Sequence, residues 1–592
     1  MPTGTPETMM TSKWLRVDMS PPAWLRRIHA WPLALLMLLG LILLAVGVGL
    51  RDPWPADEPR FVLNALEMLK TGQFWIPHRA GELYPDKPPI FMWFSAAAIQ
   101  LTGSVRIGFM LPSLLGALGT LALVVDLSRR LYGRRIAWLA GLTLLASFQF
   151  ELQARTAQID MLLNLWVSLG VYGVLRHVLL GPAIQWWYIA CIAMGLGVLT
   201  KGVGFLPLLL LPAVWILARQ GRVEGISLRE LLIGIALLIG ILVLWVGPMV
   251  IYTSFSGNEA LVAYRDNILF KQTGDRYASS WHHIKPWYFY LVEVAPWAWL
   301  PMTLGLPWLM PAWYRRVRRV DPRVILPLSA ALLIILFFSL SPGKRGVYLL
   351  PVTPLLVIAA APVLSGLLCI RRLQGLALLL LSFLAMAFLV AGVLGAFGFP
   401  VLEALATRHD IQPWWWWGAL GCSGVVLSIG LRHGKGMIAL VLWLGLFWLS
   451  WSTWGYRLMN EARSPYDFMR HVEQFTGAGQ WLAIPDFDEE FVLQAHQPLV
   501  HFGYHTPDDV QFLTAFGWLK ADPDERWLLV SQEQRDELAC ADLSQAMDMG
   551  TQNSEDWWLL SGRAFVRCYG DTRAAPIFSV PVPITSDFSG SE

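Results

Sequence analysis

Charged side chains are scarce in this sequence. They make up 15% of its 592 residues, whereas an ordinary soluble protein carries about 25%. Lysine and arginine together number 45 against 42 aspartate and glutamate residues, so the formal net charge is only +3. A nucleic-acid partner held by a strongly basic surface is therefore excluded. The shortage of charge also argues against a chain that is surrounded by water on all sides.

Cysteine is rare as well, with five residues in the chain. Cys191, Cys369 and Cys422 lie in apolar stretches, where a small buried thiol is the expected use. Cys540 and Cys568 lie instead in a polar C-terminal region that the topology below places in an oxidising compartment. We therefore predict a disulfide between Cys540 and Cys568.

Long apolar runs are what the sequence has in abundance, with 55% hydrophobic residues and a mean hydropathy of +0.50. A helix that crosses a membrane needs about 20 mostly apolar residues and satisfies its backbone hydrogen bonds internally. We predict an all-α polytopic membrane protein with about 13 transmembrane helices. A shorter run at 90–101 predicts an interfacial helix. The predicted spans are 32–50, 105–127, 136–150, 161–175, 187–199, 204–218, 231–252, 287–311, 324–340, 347–368, 375–396, 414–431 and 437–454.

Cations are concentrated in every second connection between these runs. By the positive-inside rule such connections are cytoplasmic, which places the N-terminus in the cytoplasm and the C-terminal region outside. The basic connections contain Arg129, Arg130, Arg134 and Arg135, then Arg176, Arg219 and Arg222, then Arg315, Arg316, Arg318 and Arg319, then Arg371 and Arg372, and finally Arg432 and Lys435.

The composition predicts three parts. Residues 1–454 form the transmembrane domain, and 455–575 have the short β-like runs and polar turns of a small soluble α/β domain. That C-terminal domain has neither a nucleotide-binding glycine pattern nor metal-ligand spacing, so we interpret it as a lid or docking platform. Residues 576–592 are rich in proline, serine and threonine, and we expect a disordered tail.

The first outer loop carries two groups of charge. Asp57 and Glu58 are adjacent carboxylates at the bilayer edge, where charge usually has a function; the alternative is a helix N-cap. Asp86 and Lys87 follow further along the loop. Lys87 can hold a lipid phosphate, and Asp86 can hold a divalent metal or fix that lysine, while the alternative is an ordinary surface ion pair.

Other unusual charges fall at the outer ends of later helices. Asp160 stands where the fourth helix enters the membrane, again with an N-cap as the alternative. Lys201 lies between two apolar helices, where an uncompensated charge costs several kcal/mol, so a phosphate or carboxylate partner is expected. The pair His282 and His283 stands opposite the acidic loop, and one of the two can ligate metal together with Asp86. Lys344 and Arg345 add two cations on the same face, and this mixture of signs suits a phosphorylated lipid.

These residues lie in short segments that recur in a known order. The segments are Asp57-Glu58-Pro59-Arg60, Ile76-Pro77-His78, Tyr84-Pro85-Asp86-Lys87-Pro88, Ile159-Asp160, Leu199-Thr200-Lys201-Gly202, His283-Ile284-Lys285-Pro286-Trp287-Tyr288-Phe289-Tyr290 and Lys344-Arg345-Gly346-Val347-Tyr348-Leu349-Leu350-Pro351. As a set they resemble the bacterial lipid A aminoarabinose transferases and, more distantly, the protein mannosyltransferases. Both are polytopic glycosyltransferases of the GT-C type, and the resemblance covers nearly all of the membrane part.

The resemblance implies an inverting glycosyltransferase of the bacterial inner membrane. Its donor would be a polyprenyl-phosphate (undecaprenyl) sugar, an aminoarabinose-like pentose or a hexose, and its acceptor lipid A or another envelope molecule among the membrane lipids. It implies catalytic roles for Asp57, Asp160 and Glu58, and a divalent metal (Zn, Mg or Mn) on Asp86 and His283. The implied substrate-binding residues are Arg60, Tyr84, Lys87, Lys201, Lys344, Arg345 and Tyr348.

Two departures from the family pattern weaken parts of this assignment. The family usually has glutamate at the position of Asp86, so the shorter side chain puts metal binding in doubt. It also has an aromatic hydroxyl where this chain has Phe61, which leaves room for another donor sugar. A protein O-mannosyltransferase-like enzyme remains an alternative. A non-enzymatic lipid or solute transporter is a further alternative, although the sequence has no internal repeat of the kind common in transporters.

Overall fold

The computed structural model describes residues 33–275, 284–477 and 479–580. His283, the N-terminal residues and most of the predicted tail lie outside the described residues. The helices of the first part are α1 Leu33–Ala45, α2 Glu58–Thr71, α3 Ile90–Thr102, α4 Val105–Gly108, α5 Leu111–Tyr132, α6 Arg134–Leu145, α7 Phe148–Ala154, α8 Ile159–Leu180, α9 Ile184–Lys201, α10 Leu211–Arg219, α11 Leu228–Phe255 and α12 Glu259–Asp266.

The remaining helices follow a π-helical segment at Asn267–Asp275. They are α13 Ala295–Ala298, α14 Leu306–Arg318, α15 Pro322–Leu340, α16 Val352–Ala360, α17 Leu364–Leu367, α18 Arg371–Ala396, α19 Pro400–His409, α20 Trp414–Gly430, α21 Gly436–Ser450, α22 Tyr456–Arg463, α23 Tyr466–Thr476, α24 Glu489–Gln494, α25 Asp508–Ala521 and α26 Gln532–Glu537.

Several helical runs are long and apolar enough to cross a membrane, which confirms the all-α polytopic class. Seven runs in the described part of the chain meet that requirement, and shorter apolar helices accompany them. The expected count of about 13 spans is not confirmed. The seven runs are Val105–Tyr132, Ile159–Leu180, Leu228–Phe255, Pro322–Leu340, Gly346–Leu367, Arg371–Ala396 and Gly436–Thr476.

One predicted span, 287–311, is broken in the structure. A π-helical turn at Tyr290–Val294 leads into α13, and a 3₁₀ turn at Met302–Gly305 leads into α14. Pro296 and Pro301 lie in this stretch, and proline removes a backbone donor and obstructs the preceding turn. The apolar composition was thus a poor guide to helix continuity here.

The outer loop between α1 and α3 is an ordered structure. It contains α2 and a small antiparallel hairpin formed by β1 His78–Arg79 and β2 Glu82–Leu83. Helix α3 packs against α2. Further along, α5 and α8 approach closely at Gly116, where an added Cβ would lie 2.9 Å from the Met161 carbonyl oxygen. Such close approach through a small residue is typical of membrane helices, and it fixes the start of α8.

The C-terminal region contains a mixed six-stranded sheet, as the prediction of a small α/β part requires. Its strands are β3 Trp481–Ala483, β4 Leu499–His501, β5 Arg526–Ser531, β6 Met547–Gln552, β7 Glu555–Ser561 and β8 Phe578–Val580. Their order is β6-β7-β5-β3-β4-β8, with β3 parallel to β4 and β5 and the other pairs antiparallel. A disulfide joins Cys540 and Cys568, which confirms that prediction.

Two boundaries differ from what the composition suggested. Strand β8 belongs to the stretch predicted to be a disordered tail, yet it pairs with β4 through backbone hydrogen bonds. The expected domain boundary at 454/455 lies within a helical run, because α21 continues through a π-helical turn at Trp451–Gly455 into α22. The division into domains therefore stays a prediction.

The C-terminal sheet packs on the hairpin of the first outer loop. His501 Nε2 lies 2.8 Å from the Ala80 carbonyl oxygen, and the Tyr504 amide donates to Glu82 at 2.9 Å. Because α2 and the hairpin share one loop, these contacts also restrain the helix that begins next to Asp57.

Candidate active site

Asp57 lies directly before α2 and connects three distant segments of the chain. Its side chain makes no cap hydrogen bond to the helix, so the N-cap alternative is not supported. Its Oδ2 atom instead accepts hydrogen bonds from Gln158 Nε2 and Arg345 Nη2, each at 2.8 Å. The carboxylate thus holds a position between the segment before α8 and the segment after α15.

The electrostatic surroundings of Asp57 keep it ionised. Burial alone would raise the pKa of this carboxyl, but the cations Arg345, Arg60 and Lys201 outweigh burial, and the pKa is lowered below its ordinary value of 3.8. A carboxylate with a lowered pKa is a weak base. It is better suited to holding a cationic or hydroxyl group in place than to abstracting a proton.

Asp57 and Arg345 form one ion pair. Asp160 and Lys201 form a second ion pair beside it. Asp160 is in the first turn of α8 and Lys201 is the last residue of α9, the helix ends where those charges are favourable. Only 7% of the Asp160 side chain and 12% of the Lys201 side chain are exposed. The Lys201 ammonium also lies 4.5 Å from the centre of the Tyr348 ring. The anionic partner expected for Lys201 is therefore a carboxylate of the protein.

We call the residues of these two ion pairs and their bridging amide the acid–base cluster: Asp57, Gln158, Asp160, Lys201 and Arg345. The two ion pairs interact electrostatically. The charge of Lys201 lowers the pKa of Asp57, and the charge of Asp160 raises the pKa of Arg345. Arg345 is the most open member, with 39% of its side chain exposed. The cluster has an accessible guanidinium next to a partly buried ammonium, which is an arrangement that can receive a phosphate.

Glu58 has a different environment from its neighbour Asp57. Arg51 donates to both of its oxygens, at 2.7 Å for Oε1, and the backbone amides of Trp54 and Ala157 each donate at 2.8 Å. These four donors fill the acceptor positions of the carboxylate. With 3% exposure, Glu58 fastens the first loop to the segment before α8, and the catalytic role predicted for it finds no support in the geometry.

Arg60 and Tyr84 lie at the contact with the C-terminal region. Arg60 Nε donates to Glu489 Oε1 at 2.6 Å, and Arg79 Nη1 donates to the same oxygen at 3.0 Å. The guanidinium carbon of Arg79 lies 3.7 Å from the centre of the Tyr504 ring and 5.4 Å from that of buried Tyr84. Glu489 and Arg79 were missed by sequence analysis, because their significance depends on a contact across 410 residues.

The other predicted phosphate ligands lie outside the cluster. Lys344 is buried and donates to the carbonyl oxygens of Ser341 at 2.5 Å and Lys285 at 2.9 Å, and burial lowers the pKa of its ammonium. It therefore stabilises the turn that presents Arg345. Lys87 donates to the carbonyl oxygen of Asp86 at 3.0 Å, and its phosphate-binding role stays a prediction.

A metal on Asp86 and His283 also stays a prediction, since His283 lies outside the described residues. Among those residues, Asp488, Glu489 and Glu490 place carboxylate oxygens within 4.8 Å of one another. Two arginines already occupy Glu489, and Asn553 donates to Glu490 at 2.9 Å. With these partners in place, the group does not fit a cation.

Comparison with known proteins supports the resemblance first drawn from the motifs. Residues 86–252 match the family described as dolichyl-phosphate-mannose-protein mannosyltransferase. An undecaprenyl phosphate-α-4-amino-4-deoxy-L-arabinose arabinosyl transferase of Pseudomonas fluorescens is 31% identical over 377 residues, which are 62% of this chain and 64% of that relative. A transferase of the same name from Pectobacterium atrosepticum is 25% identical over 78% of this chain and 79% of its own.

The solved structures extend the likeness to the whole architecture. ArnT from Cupriavidus metallidurans bound to undecaprenyl phosphate matches with a TM-score of 0.69 and 19% identity, over 91% of this chain and 99% of its own. The apo form of the same protein matches with a TM-score of 0.68 and 20% identity.

The fold is therefore that of the GT-C glycosyltransferases. Within that class it is ArnT-like, and the resemblance to the aminoarabinose transferases is confirmed. The apolar helices and these relatives together indicate a multi-pass protein of the inner membrane.

Proposed function

We propose that this protein is an inverting membrane glycosyltransferase that moves an aminoarabinose-like sugar from undecaprenyl phosphate to lipid A or a related envelope acceptor. The observation that carries the proposal is the acid–base cluster. It gathers two carboxylates and two cations at helix ends, in a fold whose solved counterpart binds undecaprenyl phosphate. The names of the relatives supply the donor sugar.

The chemistry requires charge stabilisation at the leaving group. An acceptor oxygen attacks the anomeric carbon, the bond from that carbon to the phosphate oxygen breaks, and the carrier leaves as polyprenyl phosphate. Negative charge develops on that phosphate, and preorganised cations stabilise it. Arg345 is accessible for this contact, and Lys201 can share its charge between Asp160 and the phosphate.

The lowered pKa of Asp57 favours a positioning role. A lipid phosphate acceptor needs little deprotonation, so an ionised carboxylate serves by orienting the reactants. An amino sugar also presents an ammonium group, to which a carboxylate is a strong hydrogen-bond partner. A protein O-mannosyltransferase, the alternative raised by the match over residues 86–252, needs a base for its hydroxyl acceptor. The electrostatics of Asp57 fit that alternative less well.

The orientation belongs to the same proposal. The N-terminus is placed in the cytoplasm, and the C-terminal region with the acid–base cluster is placed on the periplasmic side. A disulfide in the C-terminal region supports this, because disulfides persist in oxidising compartments.

The test is radiolabel transfer in outward-facing proteoliposomes supplied with undecaprenyl-phosphate-linked aminoarabinose and lipid A. Wild type should label lipid A, and Asp57→Asn should reduce the rate by about a hundredfold or more, as expected for a lost charged contact in the transition state. Asp536→Asn is the matched control, since that aspartate is 62% exposed on α26. Folded wild-type protein that transfers no sugar from any carrier would contradict the proposal.

A further inference from the structure

A charged cavity lies far from the acid–base cluster. Its volume is about 650 Å³, and it opens among the ends of α8, α14 and α15 and the connection that follows α10. Its charged lining is strongly unbalanced, with five cations against one anion. These residues are Arg222, Arg315, Arg316, Arg319, Arg323 and Asp321.

The single carboxylate neutralises only part of this charge. Asp321 pairs with Arg316 at 3.1 Å and with Arg323 at 2.9 Å. Within the described ranges, Arg222, Arg315 and Arg319 form no ion pair. Guanidinium groups bind phosphate oxygens in a bidentate manner, so several unneutralised arginines around one cavity make it an anion site.

The cavity and the acid–base cluster lie at opposite ends of the same two apolar helices, α8 and α15. Asp160 is in the first turn of α8, whereas the cavity is reached near its last residues at Leu179. Likewise, Arg323 is at the start of α15, and Arg345 follows its end. Helix α15 has 19 residues, a length of roughly 28 Å at 1.5 Å per residue, close to the hydrocarbon thickness of about 30 Å.

The uncharged lining indicates an amphiphilic occupant. Leu179, Ala312 and Val363 border the same cavity. A soluble anion has no use for such apolar contacts, whereas a lipid whose phosphate reaches the arginines can place its acyl chains along them. Basic pockets between transmembrane helices on the cytoplasmic side commonly bind acidic lipid headgroups.

We propose that this cavity binds the phosphate headgroup of an anionic phospholipid in the leaflet opposite the acid–base cluster. The shared chemistry is a phosphate held by Arg222, Arg315 and Arg319. The plain alternative is that these arginines only set topology by the positive-inside rule. That rule needs basic connections but does not need two of them to converge on one cavity.

Native mass spectrometry of protein released from nanodiscs tests the proposal. The nanodiscs contain phosphatidylcholine with or without phosphatidylglycerol, and the readout is the number of phospholipids retained. Wild type should retain phosphatidylglycerol in preference to phosphatidylcholine. Arg315→Gln with Arg319→Gln should weaken that retention by about fivefold for each arginine removed. The matched control is Arg371→Gln with Arg432→Gln, two exposed arginines of other basic connections.

A variant that is expected to increase lipid retention separates loss of the site from loss of folding. Asp321→Asn removes the one carboxylate and frees Arg316 and Arg323, so it should increase phosphatidylglycerol retention. Equal losses in the Arg315/Arg319 variant and its control would overturn the proposal, as would unchanged retention in both. Displacement of the lipid by inorganic phosphate at equal concentration would assign the cavity to a soluble anion and overturn the lipid assignment.

Discussion

The carboxylates of Asp57 and Glu58 have contrasting surroundings although they are adjacent in the sequence. Glu58 is held by two guanidinium contacts and two backbone amides and is almost fully buried. Asp57 is 17% exposed and is held by side chains of the acid–base cluster. The first arrangement stabilises the fold, and the second leaves a charge where a substrate can reach it.

Substitution should separate these two roles. Glu58→Gln leaves Arg51, whose side chain is only 3% exposed, without its counter-charge, and breaking a buried pair from one side typically costs about 3–5 kcal/mol. We expect Glu58→Gln to have a clearly lower unfolding temperature than wild type. Unfolding is measured in detergent by tryptophan fluorescence. Asp57→Asn should lose transfer activity while its unfolding temperature stays near that of wild type. Equal destabilisation of the two variants would contradict the distinction.

Charge in an apolar context is a signal that sequence alone can provide, and it led to Asp57, Asp160, Lys201 and Arg345. The same signal led to Lys344, whose substrate-binding role stays a prediction, because the carbonyl oxygens that surround its ammonium cannot be seen in the sequence. Gln158 was missed altogether, since it is uncharged and meets Asp57 across 101 residues.

Helix α24 provides a buried charged contact between the C-terminal region and the first outer loop. Its Glu489 receives hydrogen bonds from Arg60 on α2 and Arg79 on β1. Since Asp57 immediately precedes α2, this contact restrains the residue that we place at the reacting centre. Glu489 is thus a positioning residue.

Glu489→Gln should therefore lower transfer activity and stability together, because it leaves buried Arg79 and half-buried Arg60 unpaired. Glu490→Gln is the matched control on the same helix, and it should leave activity near wild type. The measurements are the transfer rate and the unfolding temperature at neutral pH. A Glu490→Gln variant that loses as much activity as Glu489→Gln would show that the segment matters only as packing.

The Glu489→Gln and Glu490→Gln variants should differ in how their unfolding temperature depends on pH. Burial, and then the neighbouring Asp488, raise the pKa of Glu490 from 4.5 to about 7. Between these values the folded state binds more protons than the unfolded state, so stability falls as pH rises. We expect the unfolding temperature of wild type to decrease from pH 4.5 to 7 and Glu490→Gln to flatten that slope. A slope that Glu490→Gln leaves unchanged would exclude this carboxyl as its source.

Element by element, run length and composition predicted the uninterrupted helices well, as in α11 and α18. They failed at 287–311, where Pro296 and Pro301 divide an apolar run into short turns. Strand β8 escaped detection because its order depends on hydrogen bonds to β4, about 80 residues earlier in the chain. Local sequence carries little information about such a partner.

For the whole molecule, the charge asymmetry and the disulfide both support the proposed orientation. The basic connections lie at one set of helix ends, including those around the arginine-lined cavity, and the acid–base cluster lies at the other. The Cys540–Cys568 disulfide lies in the C-terminal sheet region that packs on the loop beside Asp57. A donor displayed on the periplasmic leaflet would then meet the cluster directly.

This orientation predicts which exposed positions an impermeant reagent reaches. In a background with all five cysteines replaced by serine, we expect a membrane-impermeant maleimide to label Asp536→Cys on intact spheroplasts. Arg432→Cys should be labelled only after permeabilisation, because the proposed orientation places its basic connection in the cytoplasm. Both side chains are exposed, so accessibility within the fold is matched. Labelling of Arg432→Cys on intact spheroplasts, together with protection of Asp536→Cys, would reverse the proposed orientation. It would also remove the acid–base cluster from the side on which the proposed transfer to lipid A takes place.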